Sequence, residues 1–198
     1  MSKKPPKPAP ELTRLKDHFD ALLHGESDRG AAIVGAALIE DAMLELVRVT
    51  FNPTQSKGLR LLTQAGSFAG LVEHAFAMGF ISEIEQAEAD KVRWVRNSAA
   101  HAMTPGAVWT FPATTWEQAS PPNSAYSDRE HFSFVVAGLG AAIFRRVERA
   151  RELVASDEIA GREKAIAWLM ETVRTPWDQT TYLALRDAPP PSDDDRLR

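Results

Sequence analysis

The chain of 198 residues has no cysteine. That absence excludes disulfides, thiolate metal ligands and a cysteine nucleophile, and it suits a reducing cytoplasm. Long apolar runs are also missing. The longest, over 30–39 and 134–144, are too short to span a bilayer. The balance of 23 Lys and Arg against 27 Asp and Glu leaves a net charge of −4, so the chain lacks the broad basic surface of charge-driven nucleic-acid binders. Its five histidines show no metal-ligand spacing, so neither a metal nor a cofactor is expected. Ser67 and Ser98 lack the glycine-flanked context of a nucleophile elbow. No fixed-period repeat and no sustained strand alternation occurs. Residues 1–10 are rich in Lys and Pro and carry no apolar stretch of a secretory signal. These absences predict a soluble cytoplasmic protein.

What remains is helical. Hydrophobic residues make up 44% of the chain, enough for a substantial core. Apolar spacing and punctuation predict helices over 11–24, 28–50, 57–64, 68–78, 83–100, 128–155 and 157–174, closed by Gly25, Asn52-Pro53, Gly66, Gly79, Pro105 and Pro176. Ser27 or Asp28 is read as the cap of the second helix, Ser82 as the cap of the fifth with Glu85 completing a capping box, and Asp128 as the cap of the sixth. The second helix is apolar nearly all round in its first half, so it is expected to be the central, most buried rod. Its Ala31, Ala32, Gly35, Ala36 and Ala37 allow close approach of neighbours. Residues 105–127 read as a Pro-rich loop, with a short extended piece over 108–111. The fold class is all-α, an antiparallel helical bundle. It divides into a disordered tail (1–10), a helical domain (11–155), a C-terminal helical extension (156–187) and an acidic disordered tail (188–198).

The segment from Lys91 to His101 carries the most chemistry. Arg93, Asn97 and His101 are spaced i, i+4, i+8 on a helix, with Arg96 and Ala100 beside them. Val92, Val95 and Ala99 fall opposite and are expected to face the core. Two guanidiniums, an amide and an imidazole in one stripe suit an anion or a phosphate. On an unbroken helix Arg96 and His101 point about 140° apart. A shared phosphate therefore requires the helix to fray after Ala99, or a second subunit to complete the site.

On the second helix, Glu40 and Asp41 are candidate inward carboxylates. Each needs a cation if buried, and Arg93 or Arg96 is the expected partner. The competing expectation is a solvated stripe with a Glu45–Arg48 ion pair. Asp28 and Arg29 stand at the start of that helix, where an acid favours the helix dipole. Arg145, Arg146, Arg149 and Arg151 are interrupted by Glu148 and Glu152, which reads as a solvated face rather than a nucleic-acid stripe. Gly138 and Gly140 lie within an apolar helix with no strand before them, so they read as close packing. The five tryptophans read as core or interface anchors. No helix pair reads as a DNA-recognition motif, so direct DNA binding is not expected.

Three blocks in order carry a family resemblance. The stretch from Glu26 to Val47 looks like the opening helix of the mannitol repressor family. Gly66–Ala69 followed by His74–Ser82, and then Arg93–His101, resemble that family's later blocks. The likeness spans roughly Leu12 to Leu153. It implies transcriptional regulation through protein partners by a non-DNA-binding homodimer. The Arg96-Asn97…His101 signature is also similar to the wider HEPN helical superfamily, whose active members are metal-independent ribonucleases. That second likeness implies Arg96 on a scissile phosphate, Asn97 orienting it and His101 as general acid or base, with an inward Glu40 or Asp41 holding Arg96. RNA is then a partner. Ser98-Ala99 stands where the family commonly has an acid and a bulky aromatic, which thins the packing beside the arginine.

Overall fold

A computed structural model describes residues 10–51, 67–102, 108–112 and 127–173. The expected helix over 57–64, residues 1–9, most of the Pro-rich loop and everything from 174 on lie outside the described residues, while Pro10, expected in the disordered tail, is the first residue of a helix. Among the described residues the fold is an all-α bundle of α1 (Pro10–His24), α2 (Asp28–Thr50), α3 (Phe68–Ala77), α4 (Glu83–His101), α5 (Asp128–Ser156) and α6 (Glu158–Thr172). No helix among them is long and apolar enough to cross a membrane.

Helices α2 to α6 each start where a side chain satisfies their first N–H groups. Ser27 accepts from Gly30 N, Ser67 from Gly70 N, and Asp157 from Ile159 N and Ala160 N. Ser82 and Glu85 form the expected capping box of α4. The cap of α5 corrects an expectation: Ser127, not Asp128, holds that position, and Glu130 completes a second capping box. Gly79 follows α3 with φ 73°, a left-handed turn that favours glycine.

The expected central role of α2 is shared. α2 touches every other described helix, but α5 touches α1, α2, α4 and α6 and is buried at every residue from Phe132 to Ile143. The two rods cross closely because Gly35 has no side chain. A Cβ there would lie 2.7 Å from Phe132 Cε1. Gly140 similarly faces Phe19, where a Cβ would come within 3.0 Å of the ring. Close packing is therefore what that glycine serves. α6 closes the same core through Ala165 and Leu169, continued by Val173, at helical spacing. No strand forms over 108–112. Instead Trp109 meets Phe111 edge-on at 5.0 Å, and Phe111 meets Phe132 at 5.1 Å, pinning this segment to α5.

Three charged residues are buried among the described residues, Glu85, Glu88 and Arg146. Arg146, read from sequence as part of a solvated patch, is 2% exposed, and Glu85 is 0% exposed. Arg146 Nη1 lies 2.8 Å from Glu85 Oε1, a charge contact rather than an aligned hydrogen bond, tying α5 to α4. Arg149 and Arg151 do lie on the surface, paired with Glu152 and Glu148.

Candidate functional site

The candidate site is the outer face of α4. Its inner face is as the spacing predicts, with Val92, Val95 and Ala99 all fully buried. Arg93 and Asn97 are half-buried, and Arg96 and His101 are exposed. α4 does not fray after Ala99; it continues through His101 and ends on Ala102. Arg96 and His101 therefore project from one continuous helix, with Cβ directions about 140° apart.

Hydrogen bonding partly closes that gap. Arg96 Nη1 donates to Asn97 Oδ1 at 3.2 Å, which brings the guanidinium toward the Asn97 side. Asn97 precedes His101 by four residues, on the same face. Trp94 shares this face, since Trp94, Asn97 and His101 project within about 60° of one another. Trp94 is 47% exposed, which is unusual for so large an apolar residue. Sequence reasoning took Trp94 only as one of five anchors. Its position three residues before Asn97 was the available signal. Ser98 accepts a 3.4 Å hydrogen bond from Trp109 Nε1, so the segment over 108–112 flanks the same end of α4.

The other candidates stand elsewhere. Arg93 Nε pairs with Asp90 Oδ1 at 3.2 Å, on its own helix. Glu40 is half-buried and Asp41 exposed on α2. Among the described residues no ion pair or hydrogen bond joins either of them to Arg93 or Arg96. Asp28 accepts from Arg129 Nη1 at 2.7 Å, and Arg29 is exposed. The Arg129 guanidinium also reaches the carbonyl oxygens of Leu23 and Glu26. It therefore clamps the α1–α2 corner to α5, and Asp28 serves the bundle. Among the described residues no three His, Asp or Glu side chains gather as a metal site. Ser67 is a cap and Ser98 an acceptor for indole, with no base placed on either by a hydrogen bond.

No family model, no curated protein and no solved structure matches the chain.

Chemically, the α4 face offers a flat aromatic, an amide with a neighbouring guanidinium, and an imidazole. Tryptophan and arginine are the residues that most often dominate binding energy at protein interfaces. The same guanidinium and imidazole can also contact a phosphodiester.

Proposed function

We propose that this chain is a regulatory protein of the mannitol repressor type, acting in transcriptional control through a protein partner or a second copy of itself rather than by binding DNA. The observation that carries this reading is Trp94, almost half exposed on the same side of α4 as Asn97 and His101. An exposed indole beside polar groups is what an interface anchor looks like before its partner covers it. The net charge of −4 argues in the same direction, because an acidic chain is repelled by the DNA backbone.

The test compares wild type with Trp94→Glu. Sedimentation at rising concentration reads self-association, and affinity capture from the native cell reads a partner. Loss of a specific complex in the variant, with its helical content kept, supports the proposal. Complexes that survive the substitution, or sequence-specific operator binding by the purified protein, overturn it.

A second reading is a metal-independent endoribonuclease using Arg96, Asn97 and His101. The Arg96–Asn97 hydrogen bond favours it, because it turns the guanidinium toward the His101 face. Cleavage of RNA in EDTA by wild type, lost in His101→Ala, is the result that selects this reading.

A further inference from the structure

At the C-terminal end of α2, where α5 turns into α6, the surface holds an open cleft of about 470 Å³. α4 contributes nothing to it. Three arginines, one from each of three helices, line it: Arg48 from α2, Arg151 from α5 and Arg162 from α6. The one carboxylate in the lining is Glu45, and Val49 and Val154 form apolar wall.

Each charge is held in place differently. Arg162 Nη1 donates to the carbonyl oxygens of Val49 at 2.7 Å and Arg48 at 3.4 Å. It thus caps the last turn of α2 and offsets the negative end of that helix. Arg151 Nη2 donates to Glu45 Oε1 at 2.7 Å, and its Nη1 to Glu148 at 2.6 Å. The Glu45 hydrogen bond leads the interactions that hold Arg151 more firmly protonated than an ordinary arginine. Arg48 is the loosest, 3.9 Å from Glu45 and 53% exposed. Glu45 thus sits between two guanidiniums as a tethered anion.

We propose that this cleft binds a small dianion of the phosphate-monoester class, with Arg48 and Arg151 as its chief ligands and Glu45 as the internal group it displaces or shares them with. The planar guanidinium fork matches phosphate oxygens two at a time. The lining carries three positive charges and one negative, and Glu148 just outside it pairs with Arg151, so the cleft keeps a net positive charge that attracts an anion. Val49 and Val154 accept the apolar part of an ester, which bare phosphate lacks.

Calorimetric titration of the full chain tests this with two probes, inorganic phosphate and phenyl phosphate. Saturable binding of either below about 10 mM is expected, and tighter binding of phenyl phosphate assigns the apolar wall a part in it. Equal affinity for the two probes overturns the ester assignment. Arg48→Gln is expected to weaken binding by roughly tenfold while leaving the thermal midpoint without ligand unchanged, since that side chain is exposed. Glu45→Gln removes the internal competitor and is expected to tighten binding by a similar factor. Arg149→Gln, on α5 but outside the cleft, is the control for diffuse charge and should change little. No saturable binding, equal losses in Arg48→Gln and Arg149→Gln, or weaker binding in Glu45→Gln each overturns the proposal.

Discussion

Arg146 and Glu85 face each other at 2.8 Å across the α4–α5 interface, both shut off from solvent. Neither ion is stable there alone, because desolvating a charge costs several kcal/mol that only an opposite charge and hydrogen bonds offset. Glu85 is further held through Oε2, which accepts from Ser82 N at 2.7 Å and Ser82 Oγ at 3.0 Å. One carboxylate therefore caps a helix and anchors a second one. Glu85→Ala and Arg146→Ala are each expected to destabilise the fold by about 3–5 kcal/mol in chemical denaturation. A joint Glu85→Leu, Arg146→Met replacement is expected to cost much less than the two single losses added. Simple additivity would show that the charges do not act as a pair.

Arg129 bridges three acceptors, and they belong to one corner. Asp28, the Leu23 carbonyl and the Glu26 carbonyl all lie between the end of α1 and the start of α2. Arg129→Ala removes charge-assisted bonds at a half-buried site, so a loss of about 1–3 kcal/mol is expected. Hydrogen exchange gives the sharper measurement. Amides of α1 are expected to lose protection more than those of α4, which Arg129 does not touch.

Much of this architecture is legible in the sequence because caps and glycines act locally. Ser82 with Glu85, Gly79 and the Val92–Val95–Ala99 stripe need only a few neighbouring residues to be read. Arg146 was not legible for a physical reason. Its neighbours Arg145, Glu148 and Arg149 are exposed, so local pattern places it on a charged face. Only the tertiary partner on α4, far off in sequence, reveals why it is inside. The Arg96–Asn97 contact was hidden similarly: helical wheels place Cβ atoms, and a long arginine can lie across its neighbour. The cleft beside Arg48 required three separate helix ends to be placed together, which no spacing rule supplies.

Glu130 gives the fold a pH dependence whose sign is fixed. The Ser127 side-chain hydroxyl, then the Ser127 backbone N–H, hold its pKa below the ordinary value of 4.5. A depressed carboxylate stabilises the folded state above its unfolded pKa, and that contribution is lost as pH falls through the folded value. The α5 cap should therefore weaken on acidification below about pH 4.5. Because Glu130 is exposed, the effect is small. Glu130→Ala is expected to flatten the acid limb of the thermal midpoint against pH, whereas Glu130→Gln keeps the N-terminal hydrogen bond without its titration. An unchanged acid limb in Glu130→Ala would show that other carboxylates set it.

His101 separates the two functional readings without disturbing the bundle. Its ring is exposed and stands at the last residue of α4. His101→Ala is expected to shift stability by no more than about 0.5 kcal/mol, as surface substitutions usually do. Any loss of function in this variant therefore reports on the α4 face. If that face docks a protein, binding should weaken by a modest factor, because Trp94 supplies most of the buried apolar area. If it cleaves RNA, removing the general acid or base should cost roughly 10²–10⁴-fold in rate, measured with EDTA present to exclude adventitious metal nucleases. Arg96→Ala separates the cases again. A nuclease loses its phosphate contact and nearly all activity, whereas a docking surface anchored on Trp94 loses only the rim contribution of one exposed cation, which is largely screened by salt.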